Sequence, residues 1–200
     1  GENNEVSQGN RNAIHKAREK GIEVIISTGR HYQTSYDVAK ALDIHYLITM
    51  NGAEIWTQTG DLIARQTMDP EVIEQLMALK EKYQPWTWLS STDRLWRNET
   101  PEELAAHQWL KVGFDTDDPK VKHEIINTID KWEAIEWSNS SPTNIEINAI
   151  GVHKAAAIDV VRERLEIDMS QVMAVGDSLN DLKMVEKAGM GVAMGNAQEE

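Results

Sequence analysis

Short apolar runs alternate with polar, helix-like stretches over the first fifty residues. Residues 22–26 (Ile-Glu-Val-Ile-Ile) are rich in β-branched side chains and run into Ser27-Thr28-Gly29-Arg30, which predicts a short strand ending in a turn. A polar stretch over 9–20 precedes it, with Ser7 or Asn10 to cap a helix and Gly21 to stop it. A second helix is predicted over about 33–42, and a strand from Tyr46 to Thr49. Strand and helix in alternation are the mark of a parallel, doubly wound sheet.

The pattern changes after Asn51-Gly52-Ala53. Residues 54–57 and 62–66 flank Thr59-Gly60-Asp61 and read as a hairpin. Residues 70–82 repeat apolar positions at helical spacing through Val72, Ile73, Leu76, Met77 and Leu79. A Trp-rich stretch (Trp86, Trp88, Trp96) follows, then a helix from Lys120 to Trp132 and strands at 135–137 and 144–148. From His153 the first pattern resumes, with helix 153–165, strand 172–175, helix 182–188 and strand 191–194. The chain therefore reads as an α/β core in two parts, 1–56 and 151–200, with an α/β unit of 57–150 inserted between them.

Composition narrows the function. The 200 residues include 40% hydrophobic and 26% charged positions, ordinary for a globular protein, and no cysteine. Disulfides and thiolate metal sites are excluded, which is compatible with a reducing cytoplasm. No apolar run approaches the ~20 residues that span a bilayer. A net charge of −13 argues against nucleic acid or an anionic membrane as the main partner. An anionic substrate would need a cation and a few placed basic groups.

The densest chemistry lies at Val172-Met173-Ala174-Val175-Gly176-Asp177-Ser178-Leu179-Asn180-Asp181. Asp177, Asn180 and Asp181 follow an apolar strand closely and offer hard oxygen donors to a cation such as Mg²⁺. Asp and Ser ahead of a helix also serve as N-terminal caps. Thr28-Gly29-Arg30 could bind phosphate through a hydroxyl, the start of a helix and a guanidinium, or could be an ordinary turn. Lys154 opens a predicted helix, where the dipole disfavours a cation unless an anion faces it. Asn51 could contact a substrate or simply shape an Asn-Gly turn. Trp86, Trp88 and Trp96 could form a sugar-stacking surface, but such residues are more often core of a small α/β unit, and the alternate spacing of Trp86 and Trp88 is typical of strand packing.

Taken in order, Val24-Ile25-Ile26-Ser27-Thr28-Gly29-Arg30, Lys154 and Gly176-Asp177-Ser178-Leu179-Asn180-Asp181 resemble the second, third and fourth motifs of the haloacid dehalogenase superfamily of phosphatases. Asn51-Gly52-Ala53 and the glycine-rich 191–197 resemble its Cof-type branch with a type 2 cap. The resemblance implies a Rossmann-like core with an inserted cap, and Mg²⁺-dependent hydrolysis of small phosphate monoesters, such as sugar, nucleotide or cofactor phosphates, through an aspartyl-phosphate. It implies that Asp177 binds the metal. Thr28 and Lys154 would hold the phosphoryl oxygens, and Asp181 would steady the metal's water or Lys154. Arg30, Asn51 and Asn180 would contact substrate. The family's first motif, Asp-x-Asp-Gly-Thr, supplies the nucleophile and is expected just before residue 1, on a strand between 22–26 and 172–175. It does not occur in these 200 residues, so residues 1–200 by themselves are expected to be inactive, with two strand edges unpaired. A non-catalytic phosphate-binding or regulatory module on the same scaffold is the alternative. A third possibility is the phosphorylation domain of a cation-pumping ATPase, which the lack of a membrane-spanning run disfavours.

Overall fold

A computed structural model describes residues 6–198. Helix α1 (Gln8–Glu19) is capped by Ser7, whose side chain accepts from the Asn10 amide. Strand β1 (Ile25–Ser27) is shorter than predicted. Its parallel neighbour β2 (Tyr46–Thr49) begins opposite Ile25, so residues 22–24 have no strand partner among the described residues. Between them lies α2 (Tyr32–Ala41), capped by His31. The predicted hairpin forms as β3 (Glu54–Thr57) and β4 (Leu62–Arg65). It pairs antiparallel onto β2 and completes a four-stranded sheet in the order β1-β2-β3-β4. The hairpin thus continues the first sheet past residue 57.

The middle of the chain builds a five-stranded antiparallel sheet from β5 (Trp86–Ser91), β6 (Leu95–Arg97), β7 (Trp109–Asp115), β8 (Ile135–Ser138) and β9 (Asn144–Ala149), in the order β6-β5-β7-β9-β8. Helices α3 (Pro70–Tyr83) and α4 (Pro119–Ile129) bury Ile73, Leu76, Ile125 and Ile129 in one core with Leu89, Val112, Phe114, Ile145 and Ile147 of the sheet. Each such side chain contributes about 1.5–3 kcal/mol by leaving water. The central strand β7 was not predicted. Lys111 and Gly113 interrupt its apolar run, and only the alternation of Leu110, Val112 and Phe114, all fully buried, betrays it.

The last segment returns to the core through α5 (Lys154–Arg164), β10 (Met173–Gly176), α6 (Leu179–Lys187) and β11 (Met190–Ala193). Strands β10 and β11 pair in parallel as a separate two-stranded sheet. The α/β architecture is the one expected, but its parallel pairing comes in two pieces. Helix α5 joins them: Ala155, Ala157, Ile158 and Val161 pack with Ile48 and Ile55 of the first sheet and with Ala174 and Met184 of the second piece. Among the described residues β1 and β10 each have one edge without a strand partner. Met173 and Val175 of β10 are 61% and 43% exposed among the described residues. No helix among the described residues is long and apolar enough to cross a membrane.

Candidate active site

Two strand ends are stitched together at the base of the site. Beyond β1 and β2, the Asn51 amide donates to the Thr28 carbonyl at 3.0 Å and the Met50 amide to the Arg30 carbonyl at 3.1 Å. Met50 and Asn51 hold positive φ of 51° and 61° to make this turn, a conformation that asparagine tolerates better than most residues. The Thr28 hydroxyl accepts from the Arg30 amide at 3.2 Å and faces the cavity above.

The segment 176–181 closes the second wall. Asp181 folds back over the first turn of α6, its Oδ2 accepting from the amides of Asp177 at 3.0 Å and Ser178 at 3.3 Å. This cap starts the helix at Leu179, three residues before the predicted 182. Gly176 is required, because a Cβ there would lie 2.3 Å from the Asp181 Cβ. The other Asp181 oxygen, Oδ1, accepts from Lys154 Nζ at 2.6 Å, and both side chains are buried. Lys154 Nζ also reaches Asn180 Oδ1 at 3.4 Å. His153, ahead of Lys154, caps α5 through Nδ1, which accepts from the Ala156 amide at 3.1 Å. Its burial lowers its pKa, in keeping with a neutral, structural imidazole.

These elements open into a cavity of about 830 Å³ between the core and the inserted sheet, a size suited to a small metabolite. Thr28, Arg30, Lys154, Asp177, Asn180 and Asp181 all line it. Asn51 lies behind this lining. It is buried, its Nδ2 donating to Glu146 Oε2 at 2.7 Å and to Asn148 Oδ1 at 3.3 Å, while its Oδ1 accepts from Asn180 Nδ2 at 3.3 Å. Asn51 thus ties the inserted unit to the core and positions Asn180.

Two residues of this wall escaped the sequence reading. Lys111 Nζ donates to the Gly29 carbonyl at 2.6 Å and to Glu146 Oε2 at 3.0 Å, with both side chains buried. Burial alone would raise the Glu146 pKa. The Lys111 charge and hydrogen bonds from Ser140, Asn51 and Lys111 outweigh it and hold the carboxyl below its ordinary value. The available signal was a charge set between apolar neighbours in each strand, Leu110-Lys111-Val112 and Ile145-Glu146-Ile147, which places both charges on the sheet face away from the helices.

No cluster of three acidic, His or Cys ligands occurs among the described residues. Asp177 is exposed to the cavity, and no hydrogen bond or ion pair occupies its carboxylate among them. Both Asp181 oxygens are engaged, Oδ1 by Lys154 and Oδ2 by the amides of Asp177 and Ser178. An open carboxylate on a cavity that Thr28 and Lys154 also line fits Mg²⁺, which keeps several waters and takes one or two carboxylates plus substrate oxygens.

The chain matches the family model described as haloacid dehalogenase-like hydrolase over residues 1–130 and 97–200. It belongs to the haloacid dehalogenase-like hydrolases. It is 45% identical over 195 residues, 97% of this chain and 78% of the relative, to the 5-amino-6-(5-phospho-D-ribitylamino)uracil phosphatase YcsE of Bacillus subtilis. It is 27% identical to the HMP-PP phosphatase of Citrobacter koseri, covering 91% of this chain and 75% of that one. Among solved structures, a haloacid dehalogenase-like hydrolase from B. subtilis superposes with a TM-score of 0.88 at 22% identity, covering 97% of this chain and 85% of that one. The family is one of phosphoric monoester hydrolases, and the relatives named carry phosphatase names.

Proposed function

We propose that the protein hydrolyses a small phosphate monoester with Mg²⁺, and that its substrate is 5-amino-6-(5-phospho-D-ribitylamino)uracil or a compound of the same build. Such a compound carries phosphate at one end of a hydroxylated chain and a flat heterocycle at the other. The observation that carries the reading is the convergence of Thr28, Lys154 and Asp177 on one cavity roofed by the inserted sheet. The 45% identity to YcsE supports the choice of substrate.

In this reading the Thr28 hydroxyl and Lys154 ammonium hold the transferring phosphoryl oxygens, where fixed donors favour the charge that develops on them. Asp181 holds Lys154 in place through the 2.6 Å bond to its Nζ. Asn180, held by Asn51, and Arg30 orient the ester. Asp177 would hold Mg²⁺, which when bound offsets the repulsion between carboxylate and phosphate. The inserted sheet excludes bulk water and selects the leaving group. Because Asp-x-Asp-Gly-Thr does not occur in residues 1–200, we propose that a polypeptide of these residues alone binds its ligand without hydrolysing it.

The test is phosphate release by the full-length protein from the ribitylaminouracil phosphate and from simple sugar phosphates, with Mg²⁺ and then with EDTA. Metal-dependent release that Lys154→Met abolishes is expected. Release no greater than that of Lys154→Met on every ester would overturn the reading. Metal-dependent turnover by residues 1–200 alone would overturn its second part.

A further inference from the structure

The face of the inserted sheet that looks into the cavity carries one cross-strand row. Arg97 pairs with Trp88, Trp88 with Gly113, Gly113 with Glu146 and Glu146 with Ser138, each on successive strands of the order β6-β5-β7-β9-β8. Side chains of paired residues share a face, so Arg97, Trp88 and Glu146 stand side by side. The opposite face is filled by α3 and α4, and Thr87 and Leu89, the neighbours of Trp88, point into that core. Trp88 is therefore not core packing. Trp96 is, being 9% exposed.

The position opposite Trp88 fixes how its indole lies. A Cβ on Gly113 would fall 1.9 Å from Trp88 Cε2 and 2.0 Å from Cζ2. The ring thus rests directly on the Gly113 backbone, in space any side chain would fill, and presents its far side to the cavity. Trp86 extends this aromatic surface, with ring centroids 5.7 Å apart and 46% exposure. Arg97 borders the same cavity, and no ion pair occupies its guanidinium among the described residues. On the other flank stands the buried Lys111–Glu146 pair.

A large flat apolar surface, bordered by a guanidinium on one side and a hydrogen-bonding ion pair on the other, matches a planar heterocycle with carbonyl oxygens. We infer that Trp88, laid flat on Gly113, is the specificity platform of this enzyme: it stacks the heterocycle of the leaving group while Arg97 donates to ring carbonyls, and the phosphate end sits at Thr28 and Lys154. The inference rests on the phosphatase reading above and adds that the leaving group is recognised through a ring.

Two measurements separate the inference from that reading. The first compares kcat/KM of the full-length protein on the ribitylaminouracil phosphate and on ribitol 5-phosphate, which lacks the ring. Trp88→Ala and Gly113→Ala, which lifts the indole without removing it, are expected to lower kcat/KM about tenfold or more on the ring-bearing ester, the size expected from one lost stack. Ribitol 5-phosphate turnover is expected to be nearly unchanged. Equal losses on both esters in a folded variant would overturn the platform and leave the phosphatase reading intact. The second is calorimetric binding of the dephosphorylated ribitylaminouracil, which needs no turnover. Affinity at least tenfold weaker in Trp88→Ala supports the platform even if neither ester is hydrolysed, and unchanged affinity overturns it. Circular dichroism of each variant confirms folding. If Gly113→Ala misfolds, Trp88→Leu, which keeps an apolar side chain but removes the aromatic face, provides the same readout.

Discussion

Lys154 Nζ lies 2.6 Å from Asp181 Oδ1, with only 6% and 8% of the two side chains exposed. Each member of the pair is therefore the buried counter-charge of the other. Lys154→Met would leave the Asp181 carboxylate buried without a cation, a loss of about 3–5 kcal/mol. Converting the partner as well, in Lys154→Met/Asp181→Asn, keeps an oxygen for the amides of residues 177 and 178 and removes the stranded charge. The double variant is expected to recover most of the stability and none of the phosphatase activity. Urea unfolding of the two variants, alongside phosphate release, checks both halves.

A second buried pair gives stability a pH dependence of known sign. Glu146 is held below its ordinary value, so it binds its proton less readily folded than unfolded. Its contribution is fully present above the unfolded value, near 4.5, and is lost as pH falls through the lower folded value. Unfolding free energy should fall more steeply below about pH 4.5 in the wild type than in Glu146→Gln. Denaturation curves at several pH values decide it, and identical slopes would mean that the Lys111–Glu146 bridge adds nothing.

How much of this could be read in the sequence follows from distance along the chain. Residues 176–181 declared themselves because strand, glycine, cap and carboxylates are contiguous, and one segment serves both as helix cap and as wall of the site. Lys111 did not, since its partners Gly29 and Glu146 lie 82 and 35 residues away. Nothing local distinguishes it from a solvated lysine. Asn51 was visible as a turn residue, but its bonds to Glu146, Asn148 and Asn180 come from two distant segments, β9 and the first turn of α6. The same holds for Trp88, whose role depends on which residue lies across from it.

Gly176 tests whether the fold-back of Asp181 is as tight as it looks. Gly176→Ala would force its Cβ against Asp181 Cβ and Cγ, at 2.3 and 2.7 Å. Overpacking of this kind costs about 1–3 kcal/mol, and here relief requires Asp181 to move off Lys154. Activity should therefore fall by more than the lost stability explains, seen as a reduced kcat in protein that is still fully folded by circular dichroism. Wild-type kcat in Gly176→Ala would show that Asp181 can shift without disturbing the site.

Asp177 is where removal of metal should register. Its carboxylate is the open acidic group of the 176–181 wall, the Asp181 oxygens being held by Lys154 and by the amides of residues 177 and 178. Binding to the native state alone stabilises by about 2.7 kcal/mol at a hundred times the dissociation constant. Millimolar Mg²⁺ should therefore raise the wild-type melting temperature, and EDTA should reverse the rise. In Asp177→Asn the rise should shrink, and the Mg²⁺ concentration for half-maximal hydrolysis should increase at least tenfold. Asp181→Asn should instead lose activity with little change in that concentration, because the Asp181 oxygens are engaged by Lys154 and by the amides of Asp177 and Ser178. A variant pattern in which Asp181→Asn shifts the Mg²⁺ dependence as strongly as Asp177→Asn would place Asp181 among the ligands and overturn the division of labour derived from its hydrogen bonds.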